Sequence, residues 1–389
     1  MTDDLQQTAL CARVTAPGPK KMLTIDGGGI RGVLALGVLE RMEVILREES
    51  GRPDLVLADY FDAIAGTSTG AIVAAGLAKG MTVQSLIAFY VESGKEMFRK
   101  SSLVRRVWYK YEKKALAQKL RQADAFGDLR LGSQELRTVL MMVMRNATTD
   151  SPWQITNNPF EHYNQPAHPD CNLRLPLWRL IRASTAAPVY FPPEEIPLGA
   201  RKFLFVDGGV TMYNNPAFQL FLMMTLDRYW RAADPAQVRP WAVGTDKLLL
   251  MSVGTGTVSG ENQGLSAPDM HLLFNAKGIA SVLMLGALNE QDTLCRVFGE
   301  CVAGDRIDRS LDTMIGAKGP MADKLFRYAR YNADLTAGGL LSLGFVEIDP
   351  PSVQQLDSVK AIDDLLRIGR AVGETKLRKE HFDFATFAA

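Results

Sequence analysis

The stretch MLTIDGGGIRG, Met22 to Gly32, constrains the fold more than any other part of the chain. A short apolar run enters three consecutive glycines and then a helical pattern, with no polar loop between. A strand that turns this sharply into a helix is a βα unit, and βα units build parallel sheets. The helix after Gly32 carries apolar residues at Val33, Leu36, Leu39 and Met42 and charges at Glu40, Arg41 and Glu43, so one face is made for burial. Strand and helix signals keep alternating from Met22 onward. Strands are expected at 22–26, 60–65, 203–206 and 247–253. Further helices are expected at 70–79, 82–98, 104–121, 133–145, 177–185, 216–230, 279–299 and 360–372. The fold class is therefore α/β with a mostly parallel central sheet. Residues 1–20, ending at Pro17 and Pro19, read as a flexible leader. The Asn/Pro-rich text from Thr148 to Asn172 reads mostly as loop, with room for a short strand.

Bulk properties narrow the function classes. Net charge is +1, which argues against nucleic acid as a partner of the whole protein. Cys11, Cys171, Cys295 and Cys301 are scattered without a C-x-x-C pair, so neither a zinc site nor a disulfide framework is expected. The first residues lack the apolar core of a secretory signal, and no apolar run approaches the roughly 18 residues of a membrane span. A cytoplasmic protein with no metal is the expectation.

The glycine loop itself has two readings. Gly27, Gly29 and Gly32 satisfy G-x-G-x-x-G, the dinucleotide fingerprint. That fingerprint needs an acidic residue about 20 positions on, at the end of a second strand. Glu48, Glu49 and Asp54 fall instead in a charged helix end and a turn, and Asp26 would press a carboxylate against the pyrophosphate. The alternative is an oxyanion hole made from the amides of Gly27, Gly28 and Gly29. Downstream, FDAIAGTSTGAIVAAGLAKG favours the alternative. Gly66-Thr67-Ser68-Thr69-Gly70 is a G-x-S-x-G between an apolar strand and an Ala-rich helix, the setting of a nucleophile elbow. Gly66 and Gly70 let strand and helix crowd together, leaving Ser68 exposed at a helix N-terminus.

Ser68 needs a proton acceptor. His162, His168, His271 and His381 lie in loops, a polar helix start and the charged tail, and none ends a strand. Asp207, before Gly208 and Gly209 in RKFLFVDGGVTMYNNP, does follow an apolar strand. Sites of α/β sheets sit at such strand ends. Burial would raise its pKa and make it a better base. In MYNNP, Asn215 is the expected N-cap of the next helix, with Pro216 at its first position.

Taken together, Asp26 to Gly32, Gly66 to Gly70, RASTAAPVYFPP (Arg182 to Pro193) and Asp207 to Gly209 resemble the patatin-like phospholipases, in the same order and setting. The resemblance covers Met22 to Pro216, with weaker echoes in LLLMSVGTGT and LFRYARYN. It implies a three-layer α/β/α patatin-like fold, with a catalytic core at 21–216. Residues 217–389 would complete the sheet and add a helical C-terminal cap to the same unit. It implies a Ser–Asp dyad of Ser68 and Asp207, an oxyanion hole held by Arg31, and no cofactor. The implied reaction is phospholipase A-type hydrolysis of fatty acyl esters through an acyl-enzyme, on phospholipid reached peripherally at the inner membrane. A housekeeping lipase and an acyltransferase share the same dyad. Some bacterial relatives are anti-phage effectors switched on by a cyclic nucleotide, and such an activator stays open here, as does a homo-oligomer. Phe98 to Gln122 holds nine Lys or Arg against Glu112 alone, interrupted by Trp108, Tyr109 and Tyr111. That suits contact with anionic headgroups or an anionic regulator.

Overall fold

The computed structural model describes residues 8–97, 113–122, 124–258 and 272–389. One sheet of nine strands runs through them: β1 Lys20–Ile25, β2 Ala63–Thr67, β3 Val139–Asn146, β4 Ser151–Thr156, β5 Glu194–Leu198, β6 Arg201–Asp207, β7 Leu248–Val253, β8 Glu300–Ala303 and β9 Arg327–Tyr331. Its order is β5-β6-β3-β2-β1-β7-β9-β8, with β4 paired to β3. The strands from β3 to β8 along this order are all parallel, whereas β4 and β6 run antiparallel to β3. In chain order the helices are α1 Thr8–Thr15, α2 Gly32–Ser50, α3 Leu57–Tyr60, α4 Thr69–Lys79, α5 Val83–Met97, α6 Lys113–Leu120, α7 Leu177–Ser184, α8 Ala217–Thr225, α9 Leu272–Phe298, α10 Ala337–Ser342, α11 Pro350–Gln354 and α12 Ile362–Lys376.

Alternation along the strands divides the interior into two cores. Leu23, Ile25, Ile64, Leu140, Met142, Leu249 and Met251 meet α2, α4, α5, α7 and α12. Met22, Ala63, Ala65, Val139, Met141, Leu248 and Leu250 meet α1, α8 and Cys295 of α9. Helices cover both faces, which gives the expected three-layer α/β/α arrangement and explains strands that are apolar throughout. Helices α2 and α12 pack in close contact. A Cβ on Gly369 would stand 2.0 Å from the Leu34 carbonyl oxygen, so only glycine permits this approach. Gly369→Ala is expected to force the helices apart and cost about 1–3 kcal/mol in urea unfolding. An unchanged midpoint would contradict this packing.

Three expectations need correction. Residues 139–146 form a buried strand where a helix over 133–145 is expected; VLMMVMRN is rich in good helix formers, but burial on both faces erases the alternation that marks a strand. Within the expected leader, residues 8–15 form a helix, with Leu10 and Val14 in the second core. Arg13 anchors that helix by donating to the carbonyls of Ala58 at 2.6 Å and Phe61 at 3.0 Å. The helix expected over 216–230 ends at Thr225, and a short 3-10 turn follows at Asp227–Tyr229. Strands β5, β8 and β9 have no counterpart in the expected set, whereas β4 is a short strand within the stretch from Thr148 to Asn172. Of the basic segment, residues 98–112, including Trp108, Tyr109, Tyr111 and Glu112, lie outside the described residues, as does His271. No helix among the described residues is long and apolar enough to cross a membrane.

Candidate active site

Strand β3 carries the geometry. Its partner β4 spans Met141 to Asn146, so β2 and β6 must share the opposite edge, end to end. Thr67, the last residue of β2, pairs with Val143, and Asp207, the last residue of β6, pairs with the next residue, Met144. Two strand ends distant in sequence thus meet at one point. Ser68 follows Thr67 immediately, and its hydroxyl donates to Asp207 Oδ2 at 2.6 Å.

Ser68 lies between strand and helix with φ 54° and ψ −123°, a backbone conformation that L-residues rarely adopt. Such strain persists only where the surroundings over-determine it, and it concentrates at functional sites. The flanking glycines are required by contact. A Cβ on Gly66 would fall 2.0 Å from the Gly70 carbonyl oxygen, and one on Gly70 would fall 2.3 Å from that of Ile25. The N-terminus of α4 begins at Thr69, so its positive end lies beside the hydroxyl.

The Asp207 carboxylate is buried and fully bonded. Oδ1 accepts from the Gly209 N–H at 2.7 Å while Oδ2 accepts from Ser68, and the Asp207 N–H donates to the Ala186 carbonyl at 3.0 Å. Burial pushes its pKa up to about 6, with the hydrogen bonds from Ser68 and Gly209 and the charge of Arg182 pulling the other way. The result is a carboxylate still ionised at neutral pH yet markedly more basic than an exposed one. Gly208 packs against β3, where a Cβ would fall 2.3 Å from the Val143 carbonyl oxygen. None of the described histidines bonds to either residue. His162 and His168 pack edge-on against each other, and His381 bonds the Tyr331 hydroxyl at 2.9 Å.

The glycine loop comes up against Ser68. A Cβ on Gly27 would lie 3.2 Å from the Ser68 Cβ. Gly27 departs from its expected part in one respect: its N–H donates to the Asn214 carbonyl at 3.0 Å and is already committed. The amides of Gly28 and Gly29 enter no such bond among the described residues, and Gly29 has φ 60°. Thr255 Oγ1 donates to the Gly27 carbonyl at 2.7 Å, and the Ile30 N–H donates to Leu356 at 2.8 Å. Both sides of the loop are occupied by protein, an arrangement unlike a pyrophosphate cradle. Arg31 is partly buried, and that burial lowers its pKa to about 10 with Asp26 opposing.

Beneath the loop lies a buried ion network that the sequence reading did not assign. Arg330 of β9 donates to Asp26 Oδ2 at 2.5 Å, Asp26 Oδ1 at 3.3 Å and Ser252 Oγ at 2.6 Å. Asp292 of α9 receives Arg296 at 2.7 Å and the Tyr328 hydroxyl at 2.9 Å. Burial works against the charge on Arg330, but Asp26 and Asp292 overcome it and hold its pKa above the ordinary value. Thr255 and Arg330 fall in LLLMSVGTGT and LFRYARYN, the two weak echoes, and that was the only available signal for them. Asn215 and Pro216 each sit one place earlier than expected: Pro216 holds the cap position of α8, and the Asn215 side chain, just before it, accepts from the Ala217 N–H at 3.1 Å.

A strained serine between a parallel strand and a helix, paired with a buried aspartate at the end of a neighbouring strand, defines a nucleophile-elbow α/β protein. Residues 23–221, half of the chain, match the family model described as Patatin-like phospholipase. The chain belongs to the patatin-like phospholipase family. It is 31% identical to Patatin-17 of Solanum cardiophyllum and to Patatin-15 of Solanum tuberosum, over 252 residues in each case. Each alignment covers 61% of this chain, and the chain spans only 61% of either relative. Among solved structures, that of VipD from Legionella pneumophila covers 91% of this chain and 67% of its own, at 14% identity and a TM-score of 0.33, a likeness too distant to bear on the site.

Proposed function

We propose that the protein is a lipid acyl hydrolase of the phospholipase A type, working through a Ser68–Asp207 dyad. The observation that carries the reading is the 2.6 Å bond from the Ser68 hydroxyl to a buried carboxylate whose pKa is pushed up to about 6. As Ser68 Oγ attacks the ester carbonyl carbon, its proton passes to Asp207 Oδ2. The carbonyl oxygen becomes an oxyanion, which the Gly28 and Gly29 amides would meet with the help of the α4 N-terminus. Collapse breaks the ester bond, and Asp207 returns the proton to the departing alcohol. Water then repeats the sequence on the acyl-serine, releasing fatty acid. An acyltransferase would differ only in the second acceptor.

The protein would reach its substrate peripherally, at a membrane surface. Family resemblance alone carries the further idea of an anti-phage effector gated by a cyclic nucleotide. Both are tested in one assay, with phospholipid vesicles, release of free fatty acid as the readout, and a panel of cyclic nucleotides added in turn. Fatty acid release by the wild type, lost in Ser68→Ala, is expected. Release confined to one nucleotide would establish gating. No release under any condition, with no fluorophosphonate labelling of Ser68, would refute the reading.

A further inference from the structure

Ser184 closes α7, is fully buried, and touches the strained serine from behind. Its hydroxyl donates to the Val143 carbonyl at 2.6 Å, so its proton is spent there. The lone pairs left over face the Ser68 backbone, whose N–H donates to Ser184 Oγ at 2.9 Å. The need for such an acceptor follows from the elbow. Ser68 has left the β2 ladder and its φ is positive, so its amide points away from strand partners into the interior. A buried N–H without an acceptor is costly, and relieving it would let the turn relax. Val143 is the β3 residue that pairs with Thr67, so the same hydroxyl ties the elbow to its own neighbouring strand. Two residues further on, the Ala186 carbonyl accepts the Asp207 N–H. The last residue of α7 and the turn just after it therefore hold the backbones of both members of the pair.

We propose that Ser184 is a positioning residue for ester cleavage, holding the Ser68 backbone turned so that its hydroxyl faces Asp207. The inference rests on the dyad reading above. Ser184 touches neither substrate nor reacting atoms; it acts through the amide of the nucleophile.

The test uses the full chain with a soluble p-nitrophenyl ester, and active sites are counted by fluorophosphonate titration. For Ser184→Ala, kcat per titrated site is expected to fall about 10- to 100-fold with KM within about twofold, the signature of a misplaced reacting group. The acid limb of the kcat/KM profile should also move above its wild-type position near 6, because a looser Ser68 hydroxyl no longer holds down the Asp207 pKa. Arg182, the other charged group facing Asp207, is left unchanged by the substitution. Ser184→Thr keeps the hydroxyl and is expected to recover most of the rate. Ser184→Cys, of similar size but a weak acceptor, covers the case in which threonine's methyl is rejected, and it should behave like alanine. A lower melting temperature with kcat per site and the acid limb both unmoved would overturn the proposal. A wild type that neither turns over ester nor takes the label would overturn the dyad reading, and this inference with it.

Discussion

Asp207→Asn is expected to lower kcat for ester hydrolysis by about a thousandfold, within the range that general base catalysis supplies. Asparagine matches aspartate in shape, can still accept the Gly209 N–H, and leaves β6 on β3, but it cannot take the Ser68 proton. The same substitution should stabilise the fold. Asp207 has a folded-state pKa of about 6 against an ordinary 3.8. Between those values the folded chain binds the proton that the unfolded chain has released, so stability falls as pH rises through this window. The full difference corresponds to about 3 kcal/mol, absent below pH ~4 and fully developed above pH ~6. At pH 8 the variant is therefore expected to melt above the wild type, with the gap closing toward pH 4. Wild-type activity should run the other way, present above about pH 6 and lost below it. Chemical denaturation at the two pH values and a pH–rate profile check both halves. Activity within tenfold of wild type would place the base elsewhere.

Arg330→Ala is the second large effect. Asp26 is fully buried, and Arg330 is its ion-pair partner. Removing one member of a buried pair leaves an uncompensated charge and typically costs about 3–5 kcal/mol. The loss should appear in urea unfolding. It should reach activity as well, because Asp26 directly precedes the glycines facing Ser68. Replacing both members, Asp26→Asn with Arg330→Met, should restore much of the stability, since neither member of the pair is left as a lone charge. A single-variant cost below about 1 kcal/mol would show that water reaches the network.

The site was more legible in the sequence than the frame that assembles it. Gly66, Ser68, Gly70, Asp207 and the glycine loop stand out because steric demands leave few residue types able to serve. Ser184 and Arg330 carry no such steric mark; they lie in RASTAAPVYFPP and LFRYARYN, but nothing in either stretch says what each residue does until its partners are known. The most instructive miss is β3. Its continuous apolar text cannot reveal a period when helices cover both faces of the sheet. Yet Val143 and Met144 are the adjacent residues whose pairings bring Thr67 and Asp207 together. The segment hardest to classify sets the spacing of the pair.

The end-to-end placement of β2 and β6 along β3 also has a consequence for how the molecule comes into being. Ser68 and Asp207 are separated by 139 positions, so the elbow is synthesised long before its carboxylate partner. The elbow is held by β3 and by Ser184, both made before β6, whereas the docking of β6 is the later of these non-local closures, of the kind that slow folding. A chain interrupted before β6 would hold a formed turn with an unassisted hydroxyl. Hydrolytic competence thus waits for the docking of β6, which suits a hydrolase proposed to act on membrane phospholipid.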